Sequence, residues 1–255
     1  MPDRMRTDTT AVVLAGGSPA EPLAAWAGVA TKALVPFEGR PLAAYVLEAL
    51  RESRRVHHIV YVGPTTPCVE QLCDDQVPSG ERLVDSLAMG LGAALALARP
   101  GMGRLLILTA DLPWLTAAGI DRFVDDAPAA DFVFPVVPKA VSKQHFPEQT
   151  RTYVRLDATL YTGGNLLLLQ AEAAPRLLPF VDRAYRARKN PVALSTIVGV
   201  RMLVRFLLGV ASLSEVERRV SALLDAEVRV LVTGDASLAA DVDSPTHLHP
   251  ESVVT

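Results

Sequence analysis

Three segments carry side chains that chemistry could use. Near the N-terminus an apolar run ends in Leu14-Ala15-Gly16-Gly17, and Lys32 follows before Pro36. Glycine permits backbone angles closed to other residues and lets the chain approach a ligand closely. Successive N–H groups in such a turn form an anion-binding concavity, and a lysine brings a mobile point charge to phosphate. Much later, Leu105-Leu106-Ile107-Leu108-Thr109 runs into Ala110-Asp111-Leu112-Pro113. A carboxylate closing a hydrophobic strand is costly to bury unpaired. Magnesium, or manganese in its place, takes one or two carboxylates together with substrate phosphates. Near the C-terminus Asp241 and Asp243 flank Val242, and an extended backbone sends both carboxylates to one side. The combination points to an enzyme that handles a nucleoside triphosphate with a divalent cation.

Each of these residues also has a purely structural reading. Gly16-Gly17 can be a tight turn. Asp111 can cap the helix after Pro113, although Thr116 can fill that role and free the carboxylate. Asp241 and Asp243 can form an Asx-turn before Pro245. Thr162-Gly163-Gly164-Asn165 joins two apolar runs: the glycines allow close approach and Asn165 offers donor and acceptor to a polar ligand, or the pair is a bulge or hairpin turn. Asp85-Ser86 opens an Ala/Leu-rich helix, as an N-cap or as a contact to base or ribose. Lys139 belongs to a basic set with Lys143, Arg151, Arg155, Arg186, Arg188 and Lys189, from which an acceptor phosphate could draw a partner. His57-His58 lacks metal spacing. Lys32 lacks the glycines and the following Ser or Thr of a Walker loop, which excludes an ordinary P-loop NTPase.

The elements that must position these groups alternate in type. Ala11 to Leu14, His58 to Val62, Leu105 to Thr109 and Phe132 to Val137 are continuous apolar runs, predicted as buried strands. Pro41 to Ser53, Leu83 to Ala98 and Thr116 to Val124 have helical spacing. Such alternation predicts an α/β fold with a Rossmann-like, mostly parallel mixed sheet and helices on both faces. Ligands bind such sheets beyond the carboxyl ends of the strands, where Gly16-Gly17 and Asp111 both stand. Arg151 to Arg155, Leu160 to Thr162 and Asn165 to Leu169 read as short strands. From Glu172 to about Asp225 the pattern is helical, broken by Pro191 and Gly209, and Glu227 to Val232 returns to strand. A short final helix follows Pro245. The expectation is one domain over residues 1–255 with a helical insertion at about 174–225. Within it, Ser195 to Leu213 is expected as an apolar helix carrying Arg201 and Arg205 on one face, packed on the sheet or a second subunit; the alternative is an apolar groove or membrane-surface contact for a lipid-like acceptor.

Bulk properties narrow the class. At 255 residues and 50% hydrophobic, the chain can build its core without disulfides. A net charge of −3 argues against a nucleic-acid surface. Cys68 and Cys73, its two cysteines, read as reduced thiols of a cytoplasmic protein. The polar N-terminus is no secretory signal. Stretches of roughly 20 apolar residues, as a membrane span requires, do not occur, so membrane contact is disfavoured. A homodimer is left open.

With these residues in hand, the chain resembles the molybdenum-cofactor-guanylyltransferase-like NTP transferases, nucleotidyltransferases with a glycosyltransferase-A-like fold. The resemblance is carried by Leu14 to Gly17, by Lys32-Ala33-Leu34-Val35-Pro36 with Gly39-Arg40-Pro41-Leu42, and by Thr109 to Pro113, Thr162 to Asn165 and Asp241 to Pro245. It implies that Leu14, Ala15, Gly16 and Gly17 bind base and phosphates. It implies that Lys32 neutralises the triphosphate and that Asp111 and Asp243 hold magnesium. Where the family often has Arg-Met-Gly, this chain has Pro19-Ala20-Glu21-Pro22-Leu23.

The reaction expected is attack by an acceptor phosphate on the α-phosphorus of the triphosphate, with release of pyrophosphate. The acceptor could be a sugar 1-phosphate, a pterin cofactor phosphate, a phosphorylated alcohol or a cobinamide-like phosphate. Two alternatives stand beside it. One is a nucleotide-binding sensor or scaffold without catalysis, which the missing arginine would suit. The other is glycosyl transfer from a nucleotide sugar, which releases nucleoside diphosphate.

Overall fold

The computed structural model describes residues 8–97, 103–187, 199, 205 and 209–248. From the N-terminus, β1 (Asp8–Leu14) leads through the glycine loop to α1 (Pro22–Ala27), a 3-10 turn over Lys32–Leu34, and a small ribbon of β2 (Pro36–Phe37) and β3 (Arg40–Pro41). Then come α2 (Leu42–Glu52), β4 (Val56–Val62), α3 (Pro67–Glu70), β5 (Asp75–Val77), α4 (Leu83–Leu97), β6 (Gly103–Thr109) and α5 (Ala117–Asp126). The second half holds β7 (Phe132–Pro138), α6 (Lys139–His145), β8 (Val154–Leu156), β9 (Thr159–Gly163), β10 (Leu166–Gln170), α7 (Ala174–Ala187), α8 (Leu213–Leu224) and β11 (Val228–Val232).

Among the described residues nine strands form one mixed sheet, in the order β5-β4-β1-β6-β10-β7-β9-β8, with β11 on β7. The first four are parallel to one another; the buried apolar runs predict three of them, β4, β1 and β6, whereas the short polar edge strand β5 carries no such run. Antiparallel pairing enters in the second half, where β10 joins β6 to β7. The period of two along the strands divides the core. Ala11, Val13, Ile59, Tyr61, Leu106 and Leu108 face α2 and α5, where Leu47, Leu50, Ile120 and Phe123 meet them. Val12, Val60, Val62, Leu105 and Ile107 face α4, α7 and α8, through Leu87, Leu91, Leu177 and Leu224. Helix α4 lies so close to the sheet that a Cβ on Gly90 would stand 2.6 Å from Val12 and 2.7 Å from Val62. That approach fixes the start of α4 beside the end of β1.

Several expectations change in detail. Arg151 precedes β8 rather than belonging to a strand, because its side chain is held by Gln149, Thr162 and Asp241. Thr162 to Asn165 is no hairpin: β9 pairs Val136–Pro138 of β7 and β10 pairs Phe132–Val133 of the same strand, so Gly164 interrupts one run along β7. The hairpin is instead β8–β9, turning at Asp157 and Ala158, both at positive φ. After Pro245 a 3-10 turn, Pro245–Leu248, replaces the expected helix. The helical region is described at its two ends by α7 and α8. Arg188, Lys189, Arg201 and most of Ser195 to Leu213 lie outside the described residues. Arg205 is described, and donates to Glu215 and to the Val210 carbonyl. Among the described residues no helix is long and apolar enough to cross a membrane.

Candidate active site

The carboxyl ends of β1 and β6 lie side by side, Leu14 opposite Thr109, and the Ala110 N–H donates to the Leu14 carbonyl (3.2 Å). The loop after β1 and Asp111 after β6 therefore open into one cleft of about 600 Å³. Leu14, Ala15, Gly16, Gly17, Lys32 and Asp111 all line it. Neither Gly16 nor Gly17 has a positive φ. Space, not backbone angle, explains Gly16: a Cβ there would stand 2.8 Å from Ser79 Cβ and 3.1 Å from Ser86 Oγ.

Lys32 is aimed by its neighbours. Ala33 and Val35 are buried, and the 3-10 turn closes with Val35 N–H donating to the Lys32 carbonyl (3.1 Å). Its ammonium contacts Asp111 Oδ2 and donates to Asp243 Oδ1 at 2.6 Å. Burial pulls the lysine downward, but the charges of Asp111 and then Asp243 outweigh it and hold the ammonium above its ordinary range. Burial also works against ionisation of Asp243, yet Lys32 keeps that carboxyl below its usual value.

The two distant carboxylate segments meet by backbone bonding. The Val242 N–H donates to the Asp111 carbonyl (3.0 Å), and Val242 is fully buried against Leu23, Val35, Phe37 and Leu42. With the valine turned inward, Asp241 and Asp243 both reach Asp111. One ligand atom from each of the three lies within 4.8 Å of the others. Thr116, not Asp111, caps α5, accepting from Gly119 N–H at 3.0 Å. Asp111 Oδ1 is consequently buried with no hydrogen-bond partner. An orphaned carboxylate oxygen beside two further carboxylates is a hard-donor set that suits magnesium or manganese.

Two residues hold the acidic group from behind. Arg151 donates from Nη2 to Asp241 Oδ1 (2.6 Å), from Nη1 to Gln149 and from Nε to Thr162. Asp241 is pushed above the ordinary carboxylate range, by burial first and by the Asp111 charge next, while Arg151 opposes both. The Asp243 N–H donates to Nδ1 of buried His247 (3.3 Å), and burial lowers that imidazole's pKa against the pull of Asp243. His247 escaped the sequence reading, since a lone histidine carries no spacing signal. Arg151 was visible only as one of a basic set.

Other candidates are placed differently. Ser86 lines the cleft and its hydroxyl accepts the Gly80 N–H (3.0 Å). Asp85 is not in the lining: Arg82, three residues earlier, takes both its oxygens at 2.7 and 3.0 Å. Arg82 itself lines the cleft, as does Tyr185 of α7, and neither was singled out from sequence. Gly163, Gly164, Asn165 and Lys139 are also outside the lining. A Cβ on Gly164 would meet Pro135 at 2.8 Å, so that glycine serves the approach to β7. Asn165 binds through its backbone to Leu238 and Thr109, and its buried Nδ2 has no partner. Lys139 is exposed, its ammonium 5.3 Å from the Tyr153 ring centre. Glu21 follows the glycine loop, and its Oε2 would lie 3.2 Å from a Cβ on Gly17.

Residues 11–196 match the family described as the MobA-like NTP transferase domain. A hypothetical transferase from Thermus thermophilus is 39% identical over 95% of this chain and all of its own, with a TM-score of 0.83. CMP:2-keto-3-deoxy-manno-octonic acid synthetase complexed with CTP is 14% identical, with a TM-score of 0.52 over 94% of this chain and 95% of that one. The 2-C-methyl-D-erythritol 4-phosphate cytidylyltransferase of Thermus thermophilus is 14% identical, with a TM-score of 0.53 over 93% and 94%. The last two show likeness of fold. No curated protein sequence matches.

Proposed function

The chain belongs to the MobA-like NTP transferase domain family, and from that premise we propose that it is a magnesium-dependent nucleotidyltransferase that moves a nucleoside monophosphate onto a phosphorylated small molecule and releases pyrophosphate. The observation that supports this most is Lys32 held between Asp111 and Asp243 at the end of a glycine-lined cleft, beside a carboxylate oxygen with no partner.

Asp111, Asp241 and Asp243 are the residues that would hold the divalent cation, which supplies neutralisation of phosphate charge when bound. The glycine loop lets the triphosphate approach the backbone at the end of β1. Lys32 contributes a second positive charge, and its carboxylate partners keep it protonated across the whole working range of pH. An oxygen of the acceptor phosphate, already ionised at neutral pH, attacks the α-phosphorus. The bond from the α-phosphorus to the oxygen bridging toward the β-phosphorus breaks, and pyrophosphate leaves with that electron pair. No strong base is required, so positioning and charge carry the catalysis. The neighbours named for CTP and for a phosphorylated sugar alcohol motivate CTP and phosphorylated polyols as the first compounds in a substrate screen.

The test is incubation of the purified chain with each of four nucleoside triphosphates, magnesium and a panel of phosphorylated metabolites. Pyrophosphate release together with a nucleotidylated product supports the reading. Tight nucleotide binding without release would favour a sensor or scaffold, and release of nucleoside diphosphate from a nucleotide sugar would favour glycosyl transfer.

A further inference from the structure

The carboxylate end of the cleft follows β6, whereas the segment Gly80 to Leu83 follows β5, on the other side of β1 in the sheet order. The glycine loop lies between. If Lys32 and Asp111 mark where the phosphates sit, the base must lie toward Gly80 and α4. What lines the cleft there is unlike the rest of it. Leu83 is 43% exposed at the cleft, an apolar side chain left uncovered at the start of α4. Tyr185, from α7, lines the same cleft, and is its aromatic residue among those described.

Helix α7 is tied in place at this point. Arg82 donates from Nη1 to Asp182 Oδ1 (3.1 Å) while its other nitrogens hold Asp85. Asp182 also pairs with Arg186 at 2.8 Å. Asp182 and Tyr185 are three residues apart on α7 and so share a face. The guanidinium is already matched by two carboxylates, which makes Arg82 a tether between α4 and α7 rather than a phosphate ligand.

We propose that Tyr185, on the helix that the Arg82–Asp182 pair ties to the start of α4, and Leu83, both in the cleft lining, form the clip that receives the nucleobase of the triphosphate. The proposal rests on the nucleotidyltransferase reading and adds to it the part of the chain that grips the base. An aromatic face and an exposed leucine suit a flat, apolar-faced ring, and stacking of this kind tolerates different bases. Base identity would then be read by backbone groups of the loop, with the clip supplying affinity.

The experiment is calorimetry of the full chain with ATP, GTP, CTP, UTP and inorganic tripolyphosphate, each with magnesium. Tyr185→Ala should weaken the preferred nucleotide about tenfold and leave tripolyphosphate unchanged, because the latter has no base. Tyr185→Phe should bind like the parent. Asp182→Asn, which leaves the cleft lining intact, should weaken the nucleotide and again spare tripolyphosphate. Equal nucleotide affinity in the parent and Tyr185→Ala, or equal losses for nucleotide and tripolyphosphate, overturns the clip while leaving the transferase reading standing. A parent chain that binds tripolyphosphate and no nucleotide also overturns the clip; one that binds neither overturns both.

Discussion

Arg151 and Asp241 meet at 2.6 Å with side chains only 11% and 18% exposed, behind Asp111, the member of the acidic group that lines the cleft. They join the second half of the sheet to the loop that brings Asp243 to Lys32. Asp241 would otherwise be a buried acid facing Asp111 and Asp243, and burial and the Asp111 charge already push its carboxyl upward. Removing the arginine leaves that acid uncompensated. Arg151→Met should lose about 3 kcal/mol of stability, the low end for breaking a buried pair. Arg151→Lys should keep part of it. Urea unfolding measures both, and identical midpoints for parent and Arg151→Met would show that the pair contributes nothing.

Lys32 pairs with two of the three carboxylates that would hold a divalent cation. The lysine and the ion are therefore competitors until phosphates arrive to take the ammonium. Lys32→Met should bind manganese more tightly than the parent when no nucleotide is present, on the order of tenfold for one partly screened charge. The same variant should turn over more slowly, because the phosphates lose a positive partner. Paramagnetic resonance of free manganese reads the first effect and pyrophosphate release the second. Weaker manganese binding in Lys32→Met would contradict the competition.

Asp111 gives the acidic group its buried, unpartnered oxygen. Asp111→Asn keeps the shape and removes the charge. Turnover should fall about 10²–10³-fold, or about 2.7–4 kcal/mol in the barrier, as for loss of a preorganised electrostatic group. Chelation of the metal by EDTA should abolish pyrophosphate release in the parent, and added magnesium should restore it. Turnover in Asp111→Asn at the parental rate would remove Asp111 from the site.

Much of this arrangement was legible wherever local pattern determines placement. The apolar runs of β1, β4 and β6 marked the parallel strands, and their carboxyl ends brought Gly16 and Asp111 together. Thr116 could be read as the cap that leaves Asp111 free. The alternation of Asp241, Val242 and Asp243 needed only a buried valine to send both acids one way. What stayed hidden depends on contacts distant in the chain. Arg82 finds Asp182 a hundred residues away, so nothing local marks Tyr185 as a cleft residue. Asp85 looked available until Arg82, one helical turn before it, claimed its oxygens. Lys139 and Gly164 had suitable residue types, yet α6 and β7 give them structural neighbours instead. The β8–β9 turn was missed because Asp157-Ala158 lacks the glycine or asparagine that such a turn usually shows.

Asp121 offers a test of the scaffold that leaves the cleft untouched. On α5, and buried, it accepts from Ser53 Oγ (2.6 Å) and Arg54 N–H (3.0 Å) through one oxygen and from Arg54 Nε (3.2 Å) through the other. It thereby ties the end of α2 to α5 beneath the sheet. Burial raises its pKa, but the Ser53 and Arg54 bonds outweigh burial and hold the carboxyl below its ordinary value. A depressed acid stabilises the fold fully above its unfolded pKa, about 3.9, and loses that contribution as pH falls through the folded value. The parent should therefore lose stability as pH drops below about 4. Asp121→Ala leaves the Ser53 hydroxyl and the Arg54 amide without an acceptor, which should cost about 1–3 kcal/mol at neutral pH. Its stability should also fall less steeply in acid, since the group that titrates is gone. Parallel acid slopes for parent and variant, measured by denaturant unfolding at pH 3 to 7, would show that Asp121 is not the group responsible.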